Sequence, residues 1–218
     1  MIGKGVMGKL IVLILVAAAA NFIYHATKQE RFEEIKPKLF NDYLLEYLNK
    51  NYTYTGDVTT LFDVSKVQLE CRLPSGNITG VKDPTSDLKP YTYRMNDGSV
   101  FSVDITPVKP CYDKAIASLI AEQGQSRSLS MADIKANLGG LLSPNNQVIA
   151  KQPEVLKKFN AIRADSKITP IEALEMTKVF NQTKLALIDK QTQAERDAFF
   201  NQYKEGIVTP VAMPSAKK

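Results

Sequence analysis

Tryptophan is absent from the chain, histidine occurs once and cysteine twice in 218 residues. A thiol nucleophile activated by histidine would have to use His25, which sits beside the most hydrophobic segment of the chain. A tetrahedral zinc site needs four ligands, more than Cys71, Cys111 and His25 supply together. No metal and no cofactor is therefore expected. Acidic residues are missing before Glu30, although Lys4 and Lys9 precede it. Long runs of one charge sign are missing too. The formal charge is +5, but both signs alternate in stretches such as Lys28 to Lys36, and two of the positive charges are Lys4 and Lys9. A domain that tracks phosphates concentrates Lys and Arg on one element, so nucleic acid is not expected as a partner.

What is present begins with Leu10 to Ala20, eleven residues without a polar side chain. Positive charge on the N-terminal side of such a run keeps the N-terminus in the cytoplasm and sends the rest outward. Two fates stay open. A cleavable signal needs an apolar run of roughly 7 to 15 residues followed by small ones, and Ala18 and Ala20 supply an A-x-A site with Asn21 as the first mature residue. A spanning anchor needs roughly 20 apolar residues, and a helix from Val6 to Tyr24 approaches this with Lys9 snorkelling toward the headgroups. Residues 1–24 are read as signal or anchor, and the rest as folding on the non-cytoplasmic side. Two cysteines in an exported protein favour a disulfide, so Cys71 and Cys111 are expected to be bonded.

The first element after the targeting segment reads as a helix, with Thr27 and Glu30 as a capping box. Phe32, Ile35, Leu39, Phe40, Tyr43, Leu44, Tyr47 and Leu48 form one apolar stripe at three- and four-residue spacing. Pro37 predicts a kink or a restart. Phe32 and Ile35, nearest the membrane segment, are the candidate partner-binding residues; from Phe40 onward the stripe is expected against a sheet of the same chain. Val67, Leu69, Cys71 and Leu73 alternate with polar residues as a half-buried strand does, and Val58 to Val64 reads as a weaker strand. Pro74 to Pro90 reads as a long loop, a length that suggests function or mobility.

Tyr91, Tyr93 and Met95 alternate before Asn96-Asp97-Gly98, and Phe101, Val103 and Ile105 alternate after it. A three-residue turn sets Tyr93 opposite Phe101 and keeps the apolar side chains on one face, which requires Gly98 in the left-handed region. Helices follow at Asp113 to Gln123, Ser130 to Leu142 with Ser130 and Asp133 as cap and partner, and Pro153 to Ala164. The longest opens with Thr169-Pro170-Ile171-Glu172 and runs to about Glu205. The fold class read from this pattern is α+β: an N-terminal hydrophobic and amphipathic helix, a small disulfide-linked antiparallel sheet and a C-terminal helical region. The divisions are 1–24, 25–112 for helix plus sheet, 113–207 for the helical region and 208–218 for a flexible tail, with Gly124 to Ser130 and Gly139 to Asn146 as joints.

Catalytic motifs are sparse. Ser86 and Lys89 have the S-x-x-K spacing in which a lysine activates a serine, but Pro84 and Pro90 bracket them and no K-T-G partner occurs. Glu33 with Glu34, Glu172 with Glu175, and Glu195 with Asp197 lie among lysines on helices, as solvated faces do. Asn51, Asn77 and Asn181 stand in glycosylation-type tripeptides, which arise by chance at this frequency.

A hydrophobic N-terminal segment running into an amphipathic helix and then a disulfide-bearing antiparallel sheet resembles type IV pilin-like subunits over the first half of the chain. Gly5-Val6 stands where those subunits are cleaved, and Leu10 where they usually carry glutamate; the helical second half has no counterpart. The resemblance implies a structural subunit as one alternative. The preferred expectation is a non-enzymatic envelope protein, exported or anchored in a bacterial inner membrane, that serves as an assembly, adaptor or accessory subunit of a surface or secretion apparatus. Its partners would be other envelope proteins, and the membrane through residues 6–24 if these are retained. The other alternative is a secreted or periplasmic hydrolase with a non-local site around Ser86 and Lys89.

Overall fold

A computed structural model of the chain describes residues 4–67, 69–81, 91–141, 143–164 and 167–204, with backbone alone for 4–13, 25, 75 and 202–204. The fold is α+β, with a long N-terminal helix, a three-stranded antiparallel sheet and a Cys71–Cys111 disulfide. The chain divides into two compact units: Met1–Asn51 with Thr55–Arg127, and Tyr52–Tyr54 with Ser128–Lys218.

The first unit is organised by α1, Lys4–Tyr52, 49 residues without interruption. The expected helix start at Thr27 does not exist. Ala17 to Ala20, strong helix formers, carry the helix into the buried stripe, and the Thr27 hydroxyl donates backward to the Ile23 carbonyl at 2.9 Å instead of capping. Nor does Pro37 restart the helix, which runs through it. The proline only deprives the Glu33 carbonyl of its N–H partner. Ile14, Leu15, Val16, Phe22, Ile23 and Tyr24 are exposed, whereas Phe32, Leu39, Phe40, Leu44 and Leu48 are buried. Among the described residues no helix is long and apolar enough to cross a membrane. Side chains of residues 1–24, read as signal or anchor, are described only from Ile14 onward, that of His25 is not described, and residues 1–3 lie outside the described residues.

The sheet has the order β1-β3-β2, with β1 at Ile78–Gly80, β2 at Thr92–Arg94 and β3 at Val100–Val103. Tyr93 pairs with Phe101 and Arg94 with Val100, as the alternation predicts. The Gly98 amide donates to the Met95 carbonyl at 3.0 Å, the Met95 amide to Ser99 at 2.8 Å, and Gly98 has φ 81°. That is a three-residue turn whose last position suits glycine because a Cβ disfavours positive φ. β1 lies within the stretch read as a loop, and pairs Ile78 with Val103. Pro84, Ser86, Lys89 and the rest of 82–90 lie outside the described residues.

Two expected strands are absent among the described residues. Val58–Leu61 is a short helix, α2, because the Asp57 carboxylate accepts from the Thr59 amide and caps it. Across the described part of Val67 to Leu73 no ladder forms. Its period-two signal comes from an extended segment that buries Cys71 and Leu73 and exposes Glu70 and Arg72. The disulfide joins this segment to the first turn of α3, Lys109–Gln123, with a Cα separation of 5.8 Å. The closed loop contains the whole sheet.

The second unit contains α4 (Met131–Leu138), α5 (Gln147–Ala150), α6 (Pro153–Arg163) and α7 (Pro170–Lys204). Ser130 and Asp133 form the predicted capping box. At α7 the Thr169 amide donates to Glu172 at 2.9 Å and the Glu172 amide to the Thr169 hydroxyl at 3.3 Å. α6 stops one residue short of its predicted end and α4 four short, and α5 was not anticipated. Val155 and Ile162 of α6 are buried, as are Leu174, Met176 and Phe180 of α7, whereas Leu156 is 44% exposed. Lys158 pairs with Glu175 across α6 and α7. Past Leu187 every described side chain of α7 is exposed. The stretch read as a tail, 208–218, lies outside the described residues.

Candidate functional site

The densest polar cluster lies inside the first unit, where α1 meets the sheet and α3. The stripe on α1 is apolar apart from the Tyr43 hydroxyl, and Asp42 and Glu46 border it. β2 presents Tyr93, with Tyr91 just before it, on the face that carries Phe101 and Val103. α3 contributes Tyr112 and Asp113, placed beside α1 by the Cys111 bond. Each carboxylate of the border takes one phenol. The Tyr43 hydroxyl donates to Asp113 at 2.6 Å, Tyr93 to Asp42 at 2.8 Å, and Tyr91 to Glu46. Tyr112 packs edge-on against Phe40 and tilted against Tyr43, with ring centroids 5.5 and 5.7 Å apart. Its hydroxyl is buried without a hydrogen-bond partner among the described residues.

The electrostatics follow from this packing. Burial, then the bonded carboxylates, push the Tyr43, Tyr91 and Tyr93 phenols well above their ordinary value. Burial, then the Glu33 charge, does the same to Tyr112. All four are therefore neutral at physiological pH. A nucleophile or general base needs a phenol pushed toward neutrality from above, the opposite direction. These phenols are donors that lock helix to sheet. Tyr91 also holds a φ of 64°, a conformation that costs a non-glycine residue about 1 to 2 kcal/mol. Its hydroxyl on Glu46 and its carbonyl, which accepts from the Val103 amide at 3.0 Å, hold it there.

A second polar set fixes the hairpin tip. The Arg31 guanidinium donates to the Ser99 hydroxyl at 2.7 Å and to Asp97 at 3.1 Å, and lies 4.6 Å from the Phe101 ring centre. Asn96 donates to Glu34 at 3.1 Å. Ser99, through its side chain and then its amide, holds the Asp97 carboxyl below the usual carboxylate range.

The open clefts of this unit include two of substantial volume. One, of about 720 Å³, is lined by Phe62, Lys66, Glu122 and Arg127 among others. Its polar groups are already engaged: the Asp63 amide donates to the Gln123 side chain at 2.8 Å, Gln123 returns a bond to the Asp63 carbonyl at 3.1 Å, and Arg127 donates to the Leu61 carbonyl at 3.1 Å. The other, of about 860 Å³, lies over the disulfide and is lined by Gln29, Glu33, Lys36, Glu70, Cys71 and Arg72. In the first lining the Ser65 hydroxyl donates to the Asp63 carboxylate at 2.5 Å, and that bond, followed by the one from Lys66, holds Asp63 below the usual carboxylate range; the second lining contains no hydroxyl and no free thiol. Among the described residues no group of three or more His, Cys, Asp or Glu is placed to hold a metal ion.

Cys71 and Cys111 form the expected bond, and no free cysteine occurs. Phe32 and Ile35, read as partner-binding, are 0% and 6% exposed. The hairpin tip bound to Arg31 and Glu34 lies beside them, so they offer no free surface to a partner in this conformation. Ser86 and Lys89 lie outside the described residues, as does the His25 side chain. The tyrosine and carboxylate cluster was not identified from sequence. Its signal was the pair Asp42 and Glu46, four apart beside an apolar stripe, together with Tyr91 and Tyr93 on one strand face. No family model, curated protein or solved structure matches the chain.

Proposed function

We propose that the chain is an exported or inner-membrane-anchored envelope protein of a bacterium, working as a non-enzymatic assembly, adaptor or accessory subunit of a surface or secretion apparatus. The observation that carries the reading is the partition of α1. One helix presents Ile14 to Tyr24 to the outside, downstream of Lys4 and Lys9, and then buries its stripe in a disulfide-closed unit. An apolar helical face with no cover among the described residues and basic residues before it suits a targeting segment that engages lipid. A disulfide in the adjoining unit suits an oxidising compartment. The phenol clusters act as clamps, which suits a rigid structural or adaptor part.

Fractionation of a bacterial host, intact-mass analysis and thiol labelling after denaturation test the reading. The expected result is an oxidised chain in the envelope fraction, either beginning at Asn21 or retained in the membrane at full length, that co-purifies with a defined envelope partner after gentle extraction. A cytosolic chain that retains Met1 and labels at both cysteines overturns it.

A further inference from the structure

The distal half of α7 carries a pattern that the described residues do not cover. From Leu185 to Phe200 the side chains are exposed except for the half-buried Leu187. Leu185, Ile188, Phe199 and Phe200 are large apolar groups at 59%, 49%, 58% and 60% exposure. At about 100° per residue, Leu185 and Ile188 lie on the same side of the helix as Asp189, Thr192 and Arg196, and Phe199 and Phe200 fall on that side again. The face therefore has an apolar patch at each end and an acid and a base between them. Asp189 and Arg196 form no ion pair among the described residues, whereas the neighbouring Glu195 and Asp197 accept from Gln191 and Gln193 of the same helix at 3.0 and 2.9 Å.

This arrangement is self-complementary in one direction. In an antiparallel pair centred between Thr192 and Gln193, Leu185 meets Phe200 of a second copy, Asp189 meets Arg196, and each contact recurs by two-fold symmetry. In a parallel, in-register pair, Asp189 would face Asp189 and Arg196 would face Arg196, and like charges directly opposed are unfavourable. We infer that the distal half of α7 is a homodimerisation surface that pairs antiparallel with α7 of a second copy over about 24 Å of helix. The proposal is independent of the membrane reading.

The test uses the full chain, whose native cysteines are bonded to each other, so an introduced cysteine is the only free thiol. The wild type should sediment as a dimer. Arg196→Asp, an exposed substitution that leaves the fold intact by circular dichroism, should weaken dimerisation by about tenfold, since two exposed pairs become repulsive. Asp189→Arg combined with Arg196→Asp should restore it. On oxidation, a mixture of Leu185→Cys and Phe200→Cys chains should cross-link to each other and neither should cross-link to itself. A monomeric wild type, a dimer indifferent to Arg196→Asp, or self-cross-linking of Leu185→Cys would each overturn the proposal.

Discussion

The Tyr43 hydroxyl donates to the Asp113 carboxylate at 2.6 Å, tying the long helix to the residue two positions beyond the disulfide's second cysteine. Hydrogen bonds to a charged partner in a half-buried setting contribute about 1.5 to 3 kcal/mol net. Tyr43→Phe is expected to lower unfolding free energy by that amount in urea titration. A double-mutant cycle with Asp113→Asn should show the two losses to be strongly coupled.

Tyr112 supplies the opposite case. Its ring is fully buried and its hydroxyl lacks a partner among the described residues. A desolvated hydroxyl without a bond costs about 1 to 3 kcal/mol, so Tyr112→Phe should leave thermal stability unchanged or raise it. A loss of more than about 1 kcal/mol, beyond the usual range for a neutral substitution, would show that the hydroxyl has a partner in solution.

The disulfide closes a 40-residue separation. Chain entropy gives about 4 kcal/mol for a loop of that length. Cys71→Ser with Cys111→Ser should lower stability by roughly that amount. It should also broaden the backbone resonances of β1, β2 and β3, because all three strands lie inside the closed loop.

Alkaline pH should unfold the first unit. Folded-state values for Tyr43, Tyr91, Tyr93 and Tyr112 lie above the ordinary 10.0. The unfolded chain therefore releases protons first as pH rises past 10. A raised folded value contributes stability that is fully present below the unfolded pKa and lost as pH climbs through the folded one. The tyrosinate absorbance of these four, read as the difference between the wild type and their Tyr→Phe variants, should rise late and in step with the loss of the far-ultraviolet helix signal. Ionisation of these four near pH 10 with the helix signal intact would contradict the cluster's geometry.

Much of the fold was legible in the sequence because it rests on local chemistry. The hairpin register follows from keeping Tyr93 and Phe101 on one face, and the α7 start from Thr169 and Glu172. The misread segments are those where distant groups decide. Cys71 and Leu73 alternate in burial without pairing as a strand, because a disulfide and the core, not a ladder, hold the segment extended. Thr27 carries a capping pattern that the helix arriving from Ala20 overrides. Phe32 and Ile35 read as partner-binding from their place near the apolar N-terminal run, and in the fold they are buried with a hairpin tip 60 or more residues away beside them, anchored by Arg31 and Asn96. The phenol and carboxylate cluster was hidden for the same reason: its partners meet only once α1, β2 and α3 have assembled.

Because α1 passes from Tyr24 to Phe32 without a hinge, it works as a keyed shaft. The bearing of the exposed apolar end relative to the buried stripe is fixed by residue count, at about 100° for each residue. An insertion of one residue at Gln29 would leave every side chain in place on its own side of the splice. It would nevertheless turn the first unit by that angle about the shaft, and with it the direction in which its hairpin tip points.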